Sequence, residues 1–326
     1  MTSGDTLVDR HDALLVDLDG VVYRGPHAVG YAIDALRAAR GAGVSLAFVT
    51  NNAARPPGAV AEHLRELGLE VADSDVVTSA QAAAREVAAR VAPGSTVLAV
   101  GGPGVAEALR ARGFEVVERA ERDPAAVVMG FGPDVSWRDL AEASYAVAGG
   151  ALFVATNTDT SIPTARGIAP GNGTLVGAVA MATGCVPLVA GKPFAPLVVE
   201  SVERVHAQRP LVVGDRLDTD IAAGARSGIP SLLVMTGVTD VAAVLDAEPG
   251  ERPTYLAADL RGLSAVAAAV PVVSLGAASG RAHDDGLNAL RHACARSWAA
   301  SDAGEVPPVG RDERSRLAAA VASALL

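Results

Sequence analysis

Two carboxylates two residues apart end a hydrophobic stretch near the start of the chain. Asp17 and Asp19 occur in VDLDGVVYRG at 16–25, and Gly20 follows them directly. Side chains two apart on a strand point to the same face, and Gly lets the backbone turn sharply. Like charges held together repel each other unless a cation neutralises them, and hard oxygen ligands suit Mg²⁺. The pattern predicts a magnesium site; a simple strand-ending Asp-Gly turn is the alternative.

A second group of polar residues ends the hydrophobic stretch at 44–50. The sequence FVTNNAARPP places Thr50, Asn51 and Asn52 there, where a hydroxyl group and amide donors could hold phosphate oxygens. The alternative is an ordinary helix N-cap at Thr50 or Asn52 before Pro56. The three residues are candidates for binding a phosphoryl group.

Two later elements place charged residues after predicted strands. In LVAGKPFAP, Lys192 could neutralise both a carboxylate nucleophile and a phosphate, or it could be a solvated surface Lys. In LVVGDRLDTDIAAG at 211–224, Asp215 ends a strand and Asp220 lies at the start of a helix. Acidic residues at a helix start ordinarily complement the helix dipole, which is the alternative for these carboxylates.

The elements that must position these residues alternate along the chain in a regular way. Short β-branched stretches are separated by segments of helical periodicity, which predicts a parallel α/β sheet with helices on both faces. We expect strands at 13–19, 44–50, 96–100, 126–130, 151–155, 210–214 and 231–235. We expect helices at about 28–41, 57–67, 79–91, 104–112, 136–148, 174–183, 195–207 and 217–227, and two more near the end, at 284–299 and 312–325. Ligands of open α/β sheets bind at the carboxyl ends of strands, which is where the polar groups occur.

The composition is typical of a globular protein that handles small molecules. Half of the 326 residues are hydrophobic, and 27 Lys and Arg against 37 Asp and Glu give a net charge of -10. This balance offers no basic face for nucleic acid and would repel anionic lipid. The polar N-terminus lacks a secretory signal, and no apolar run is long enough for a membrane span. We therefore expect a cytoplasmic protein without nucleic-acid or membrane partners.

The four polar elements together carry a resemblance to a known family. The sequence resembles the haloacid dehalogenase-like phosphatases of subfamily IIA over about residues 12–262. The matching segments are DLDGV at 17–21, VTNN at 49–52, GKP at 191–193 and GDRLDTDI at 214–221. The resemblance implies a doubly wound parallel-sheet (Rossmann-like) core, an inserted α/β cap domain and a short, mainly helical C-terminal extension. The implied boundaries are 1–78 and 187–262 for the core, 79–186 for the cap and 263–326 for the extension.

The resemblance also implies a Mg²⁺-dependent reaction. Asp17 would be the nucleophile that forms an aspartyl-phosphate, and Asp19 the general acid and base that also offers its backbone carbonyl to Mg²⁺. Asp215 would be the acidic Mg²⁺ ligand alongside Asp17, and Asp220 would support the ligands from outside the coordination sphere. Thr50 and Asn51 would hold the phosphoryl group, and Lys192 would orient Asp17.

A long polar loop in the implied cap is a candidate for substrate selection. The segment ATNTDTSIPTARGIAPGNGTL at 155–175 follows a predicted strand, and in similar proteins this region faces the core site. Its length favours a function, although its Gly and Pro residues also fit a turn-rich surface connection. The candidates are Asn157, Asp159 and Arg166.

The sequence does not determine which phosphomonoester is the substrate. A body of this kind followed by an Ala-rich extension resembles the actinobacterial glycerol 3-phosphate phosphatases, so glycerol 3-phosphate is the first expectation. 2-Phosphoglycolate, pyridoxal phosphate, nucleotides and nitrophenyl phosphate are the alternatives, because a fold does not choose a substrate. A module that senses a phosphometabolite is a rival from another class, and the intact set of Asp17, Asp19, Lys192 and Asp215 argues against it. The oligomeric state is open, with a homodimer among the options.

Overall fold

The computed structural model describes residues 6–164, 166–265, 285–306 and 308–325. These residues form two compact units. The first unit comprises Met1–Phe48, Leu67–Leu69 and Val205–Leu326, and the second comprises Val49–Glu66 and Glu70–Arg204. The part of the predicted extension at 266–284 lies outside the described residues. The domain boundaries predicted from the sequence remain a prediction.

Strands and helices alternate along the described chain, as the sequence predicts. The strands are β1 (Ala13–Val16), β2 (Tyr23–Arg24), β3 (His27–Ala28), β4 (Ser45–Thr50), β5 (Val76–Thr78), β6 (Thr96–Val100), β7 (Glu115–Val117), β8 (Ala126–Met129), β9 (Leu152–Ala155), β10 (Ser161–Thr164), β11 (Gly167–Pro170), β12 (Leu188–Val189), β13 (Pro210–Gly214), β14 (Ser231–Val234) and β15 (Tyr255–Ala257).

The helices lie between these strands and at the end of the chain. They are α1 (Leu7–Arg10), α2 (Ala32–Gly41), α3 (Pro57–Glu66), α4 (Ser79–Ala88), α5 (Pro103–Ala111), α6 (Trp137–Ala148), α7 (Asn172–Thr183), α8 (Ala195–Arg204), α9 (Ala222–Ser227), α10 (Val241–Leu245), α11 (Asp285–Asp302) and α12 (Arg311–Ala324). Within the described residues, none of these helices is both long and apolar enough to span a bilayer.

The first unit contains a parallel sheet with the strand order β15-β14-β13-β1-β4. The chain starts at β1 in the middle and extends outward on both sides, to β4 in one direction and through β13 to β15 in the other. All four residues of β1 are buried, which explains its continuous hydrophobic sequence. The expected doubly wound parallel α/β core is confirmed.

The described part of the C-terminal extension packs on this sheet. The helices α11 and α12 contact each other and α10, and α11 also contacts β15. The buried side chains of α11 recur at helical spacing and share one apolar cluster with residues of α10, β14 and β15; they are Leu287, Leu290, Ala293, Cys294 and Trp298. These side chains form one apolar face of α11, and this face is the one that docks.

The second unit contains a separate parallel sheet with the strand order β12-β9-β8-β6-β7. The helices α6 and α7 contact each other, and their buried side chains share an apolar cluster with β6, β8 and β9. The strands β10 and β11 form an antiparallel hairpin within the polar segment at 155–175 that the sequence predicts as a loop. Every residue of these two strands is exposed or half-buried, so the hairpin lacks the hydrophobic alternation that marks a strand.

One predicted helix differs in kind from the structure. The segment expected to be helical at 217–227 begins with a π-helical turn at Leu217–Ile221, and α9 follows it. A single π turn is typical of functional sites in helical segments. This turn carries one of the predicted site residues, Asp220.

Candidate active site

Two of the predicted carboxylates leave neighbouring strands at the same edge of the first unit's sheet. Asp17 follows the last residue of β1, and its N–H donates to the carbonyl of Val213 in β13 at 2.8 Å. Asp215 directly follows Gly214, the last residue of β13. Because β1 and β13 are parallel and adjacent, both carboxylates lie at strand carboxyl ends, where open α/β sheets bind ligands.

Asp17, Asp215 and Asp220 form a group that we call the acid cluster. One carboxylate oxygen of each residue lies within 4.8 Å of those of the other two. Asp215 is 1% exposed and Asp220 is 2% exposed, while Asp17 is half-buried. Three carboxylates so close together and so shielded from water are costly unless a cation balances them. Carboxylate oxygens are the hard ligands that Mg²⁺ prefers, so the residues present fit this metal.

Backbone N–H groups orient two members of the acid cluster. Val238 donates to Asp215 Oδ2 at 2.6 Å, and Arg216 donates to Asp220 Oδ2 at 3.1 Å. Asp218 lies between them in sequence, but its side chain is exposed and pairs with the Arg216 guanidinium at 2.7 Å. The resemblance implies that Asp220 lies outside the coordination sphere; its place in the acid cluster also makes it a candidate ligand.

The turn after Asp19 is held by a residue that the sequence analysis missed. Gly20 has φ +85°, and a Cβ atom there would lie 2.7 Å from Asp215 Oδ2, so both the backbone conformation and the space require Gly. The buried Thr236 hydroxyl donates to the Gly20 carbonyl at 2.6 Å. The available signal was MTGVTD at 235–240, a polar segment directly after a predicted strand.

Asp19 lies in this turn, two residues after Asp17. Its side chain is exposed, and its carboxylate does not belong to the acid cluster. The turn is closed by hydrogen bonds from the N–H of Gly20 to the Tyr23 carbonyl at 2.8 Å and from the N–H of Val22 to the Leu18 carbonyl at 2.9 Å. An exposed carboxylate on a rigid turn suits proton exchange with a substrate, and both roles of Asp19 stay predictions.

In the second unit, the structure brings Lys192 and Asn51 together. The N–H of Lys192 donates to Asn51 Oδ1 at 2.8 Å, and Asn51 Nδ2 donates to the Lys192 carbonyl at 2.9 Å. Lys192 is 4% exposed, and its ammonium donates to the carbonyl of Val49 at 3.2 Å. A Cβ atom on Gly191 would lie 2.6 Å from Asn51 Oδ1, so this approach requires Gly before the Lys.

Two of the three candidates from the polar loop join the same network. Asn51 Nδ2 lies 3.4 Å from Asp159 Oδ2, and Asn157 Nδ2 donates to the Asn51 carbonyl at 2.7 Å. Asn172, which the sequence analysis did not single out, donates to the Asn157 carbonyl at 2.8 Å and is 1% exposed. Ser79 also donates to the Asn51 carbonyl, at 2.6 Å.

The other predicted substrate residues of the second unit lie in different surroundings. Thr50 is buried, and its hydroxyl accepts from the Asn52 N–H at 3.0 Å. Asn52 is exposed, and its side chain accepts from the Ala54 N–H at 2.9 Å; this is a local turn in the loop before α3, which begins at Pro57, and not a helix cap. Arg166 is exposed in the β10–β11 hairpin, and its N–H donates to the Thr164 hydroxyl at 3.2 Å. Their roles toward a phosphate or a substrate stay predictions.

Comparisons with known proteins identify the family of the chain. Residues 14–115 match the family described as haloacid dehalogenase-like hydrolase, and residues 189–263 match a second family of similar description. The D-glycerol 3-phosphate phosphatase of Mycobacterium tuberculosis is 48% identical over 258 residues, which are 79% of this chain and 72% of that protein. The chain belongs to the haloacid dehalogenase-like hydrolases.

Two further relatives of this hydrolase extend the comparison. An acid sugar phosphatase of Staphylococcus saprophyticus is 36% identical over 253 residues, which are 77% of this chain and 96% of that protein. A crystal structure of a glycerol phosphate phosphatase from Mycobacterium tuberculosis in complex with magnesium is also similar. It aligns with a TM-score of 0.82 and 44% sequence identity, and the alignment covers 90% of this chain and 92% of the relative's chain. The expectations of a phosphatase in this family and of the haloacid dehalogenase-like fold are confirmed. The metal in that relative is the one that the acid cluster fits.

Proposed function

We propose that this hydrolase is a Mg²⁺-dependent phosphomonoesterase that converts glycerol 3-phosphate to glycerol and phosphate through an aspartyl-phosphate on Asp17. The acid cluster at the strand ends of the first unit is the observation that carries the proposal, because it combines a half-buried carboxylate with two buried ones. The 48% identity to the D-glycerol 3-phosphate phosphatase supports the choice of substrate.

The proposed reaction has two displacements at phosphorus. In the first, an Asp17 oxygen forms a bond to phosphorus while the bond from phosphorus to the glycerol oxygen breaks, and Asp19 gives its proton to the departing alkoxide. In the second, Asp19 takes a proton from water, the water oxygen bonds to phosphorus, and the bond to Asp17 breaks. Phosphate leaves, and both carboxyl groups regain their starting protonation. A carboxylate nucleophile thus divides one difficult hydrolysis into two easier steps.

The other predicted residues are assigned to charge and position. Mg²⁺ held by Asp17, Asp215 and, by its backbone carbonyl, Asp19 supplies positive charge against the negative phosphoryl oxygens. Lys192 adds a fixed positive charge, and its burial strengthens the electrostatic effect of that charge. Thr50 is proposed to bind a phosphoryl oxygen. In the proposal, Asp220 supports Asp215 or completes the ligand set.

Sugar phosphates are a second class of substrate that a specific observation favours. The acid sugar phosphatase is 36% identical to this chain over 96% of the phosphatase's own length. The candidates for selecting among substrates are Asn157, Asp159 and Arg166. Because a fold does not choose a substrate, the assay must include sugar phosphates beside glycerol 3-phosphate.

The proposal also covers partners and location. A small phosphorylated metabolite is the proposed partner, with no nucleic-acid or membrane partner, in the cytoplasm. The net charge of -10 supports the exclusion of polyanions. The oligomeric state, with a homodimer among the options, is decided by light scattering of the full chain, where a mass of one subunit excludes the homodimer.

Phosphate release in the presence of Mg²⁺ tests the activity. The panel contains glycerol 3-phosphate, sugar phosphates, 2-phosphoglycolate, pyridoxal phosphate, nucleotides and nitrophenyl phosphate. Asp17→Asn is expected to abolish turnover, whereas Asp218→Asn is the matched control, because Asp218 is exposed and outside the acid cluster. Absence of turnover by the unaltered chain on every compound would contradict the proposal and favour a sensing module.

A further inference from the structure

The side chain of Asn51 is paired with the backbone of Lys192 through both of its polar atoms. Oδ1 accepts from the Lys192 N–H at 2.8 Å, and Nδ2 donates to the Lys192 carbonyl at 2.9 Å. The two partners fix which amide atom is oxygen and which is nitrogen, because a backbone N–H only donates and a carbonyl only accepts. A pair of opposed hydrogen bonds to one residue fixes both the position and the rotation of that residue's backbone.

Both donor hydrogens of the Asn51 amide are directed to acceptors within the second unit. An Asn side chain carries two N–H donors. One points to the Lys192 carbonyl, and the other points to Asp159 Oδ2 at the longer distance of 3.4 Å. The single amide oxygen is an acceptor and would repel a phosphate oxygen. The place of Asn51 beside Thr50 in the sequence suggests that its side chain binds a phosphoryl oxygen, but in the structure that side chain binds the backbone of Lys192.

Asn51 is itself held at its backbone from two sides. Its carbonyl accepts from the Ser79 hydroxyl at 2.6 Å and from Asn157 Nδ2 at 2.7 Å. Asn157 is 4% exposed, and its own carbonyl accepts from the buried Asn172 at 2.8 Å. The donors Ser79, Asn157 and Asn172 are buried, and leaving a buried donor without its acceptor is costly. The network is thus a rigid support for Asn51.

The consequence for Lys192 follows from the length of its side chain. A Lys ammonium lies about 6 Å from its Cα atom, so a backbone rotation of about 10° moves the nitrogen by about 1 Å. Misplacement of a catalytic group by that distance lowers a rate by about 100-fold. The ammonium is buried and donates to the Val49 carbonyl at 3.2 Å, so a shift of the backbone that Asn51 holds would move the ammonium relative to this carbonyl.

We propose that the side chain of Asn51 is a positioning group that acts through Lys192, and that this side chain does not itself bind the phosphoryl group. The inference rests on the proposed function, because it assigns Lys192 to the reaction. The backbone of Asn51 is held in turn by Ser79 and Asn157, and Asn157 is held by Asn172. Through Asn157, the polar loop thus helps to position Lys192, in addition to its proposed role in substrate selection.

A double-mutant cycle on kcat/KM for the best substrate tests this inference. Asn51→Ala alone is expected to lower kcat by about 100-fold with KM changed less than about 3-fold. In a Lys192→Ala background, the same substitution is expected to cost less than about 3-fold more, because the residue through which it acts is already gone. An equal 100-fold loss in both backgrounds would show that Asn51 acts on the phosphate independently, and would overturn the inference.

Two controls separate the possible outcomes. Asn288→Ala removes a comparable amide from α11, where it accepts from Arg291 at 2.7 Å, and is expected to leave kcat within about 2-fold. If Asn51→Ala is unfolded by circular dichroism, Asn51→Ser replaces it in the cycle, because the shorter Ser side chain cannot bind both backbone groups of Lys192 and adds no charge beside Asp159. Absence of turnover by the unaltered chain would contradict the proposed function, whereas additive losses in an active enzyme would contradict this inference alone.

Discussion

Replacing Trp298 by Ala tests whether the C-terminal helices are an integral part of the first unit. Trp298 on α11 is 3% exposed, and its indole N–H donates to the Val244 carbonyl at 3.0 Å. The Arg252 guanidinium carbon lies 5.4 Å from the ring centroid. The ring therefore joins the extension to α10 and to the segment before β15 by apolar, hydrogen-bonding and cation–π contacts.

The expected loss of stability follows from these contacts. A buried Trp removes about 150–250 Å² from water, which corresponds to roughly 4–6 kcal/mol. Measured Trp→Ala losses in cores are about 3–5 kcal/mol. The indole hydrogen bond contributes about 1 kcal/mol, part of which is already contained in that range. We expect a decrease of about 4 kcal/mol in the free energy of unfolding, or roughly 8–16 °C in Tm.

The chain offers a matched control and a local probe for this measurement. Its only other Trp, Trp137, is 77% exposed on α6 of the second unit. Trp137→Ala is expected to change stability by less than about 0.5 kcal/mol. In a Trp137→Phe background, urea unfolding followed by Trp fluorescence reports on Trp298 directly, and the Ala variant is followed by circular dichroism. A loss below about 1 kcal/mol for Trp298→Ala would refute the docking of α11 as an integral part of the unit.

Three further predictions concern other parts of the molecule. The side chain of Glu200 is 6% exposed and contacts three guanidinium groups. Glu200→Ala is expected to lower the free energy of unfolding in urea by about 2–3 kcal/mol, less than the about 3–5 kcal/mol usual for a broken buried ion pair, because the three guanidinium groups can rehydrate. An unchanged free energy of unfolding would contradict this structural role of Glu200. Burial raises the pKa of the Cys294 thiol to about 12, so a thiol reagent at neutral pH should label the native chain at Cys185 and spare Cys294, whereas rapid labelling of both would contradict the packing of α11. The hydrogen bond from Arg314 on α12 lowers the pKa of Asp246 below its ordinary value of 3.8. The stabilisation from this ion pair is therefore present above pH 3.8 and is lost as the pH falls through the lowered pKa of Asp246. Asp246→Asn should flatten the acid side of a plot of Tm against pH, and an unchanged plot would contradict this prediction.

The positions of two residues of the acid cluster could be predicted because they directly follow strongly hydrophobic strands. Asp17 and Asp215 come after β1 and β13, whose buried residues mark the strands in the sequence. The edge of a parallel sheet then determines where such residues stand. The same local signals predict most of the longer helices and strands.

Contacts between distant parts of the chain could not be predicted in this way. The Thr236 hydroxyl meets a carbonyl 216 positions away, and Asn51 meets Lys192 across 141 positions. Such pairs depend on how the strands are ordered in space, which no local pattern contains. The strands β5, β7, β12 and β15 have only two or three residues each, too few for a periodic signal.

The stereochemical course at phosphorus tests the two-step reaction through Asp17 most directly. The substrate is glycerol 3-phosphate whose phosphorus is made chiral with oxygen isotopes and sulfur, hydrolysed in isotopically labelled water. Each in-line displacement inverts the configuration, so an aspartyl-phosphate on Asp17 predicts overall retention in the released thiophosphate. Inversion would mean that water attacks the substrate directly, and would contradict the role of Asp17 as the nucleophile.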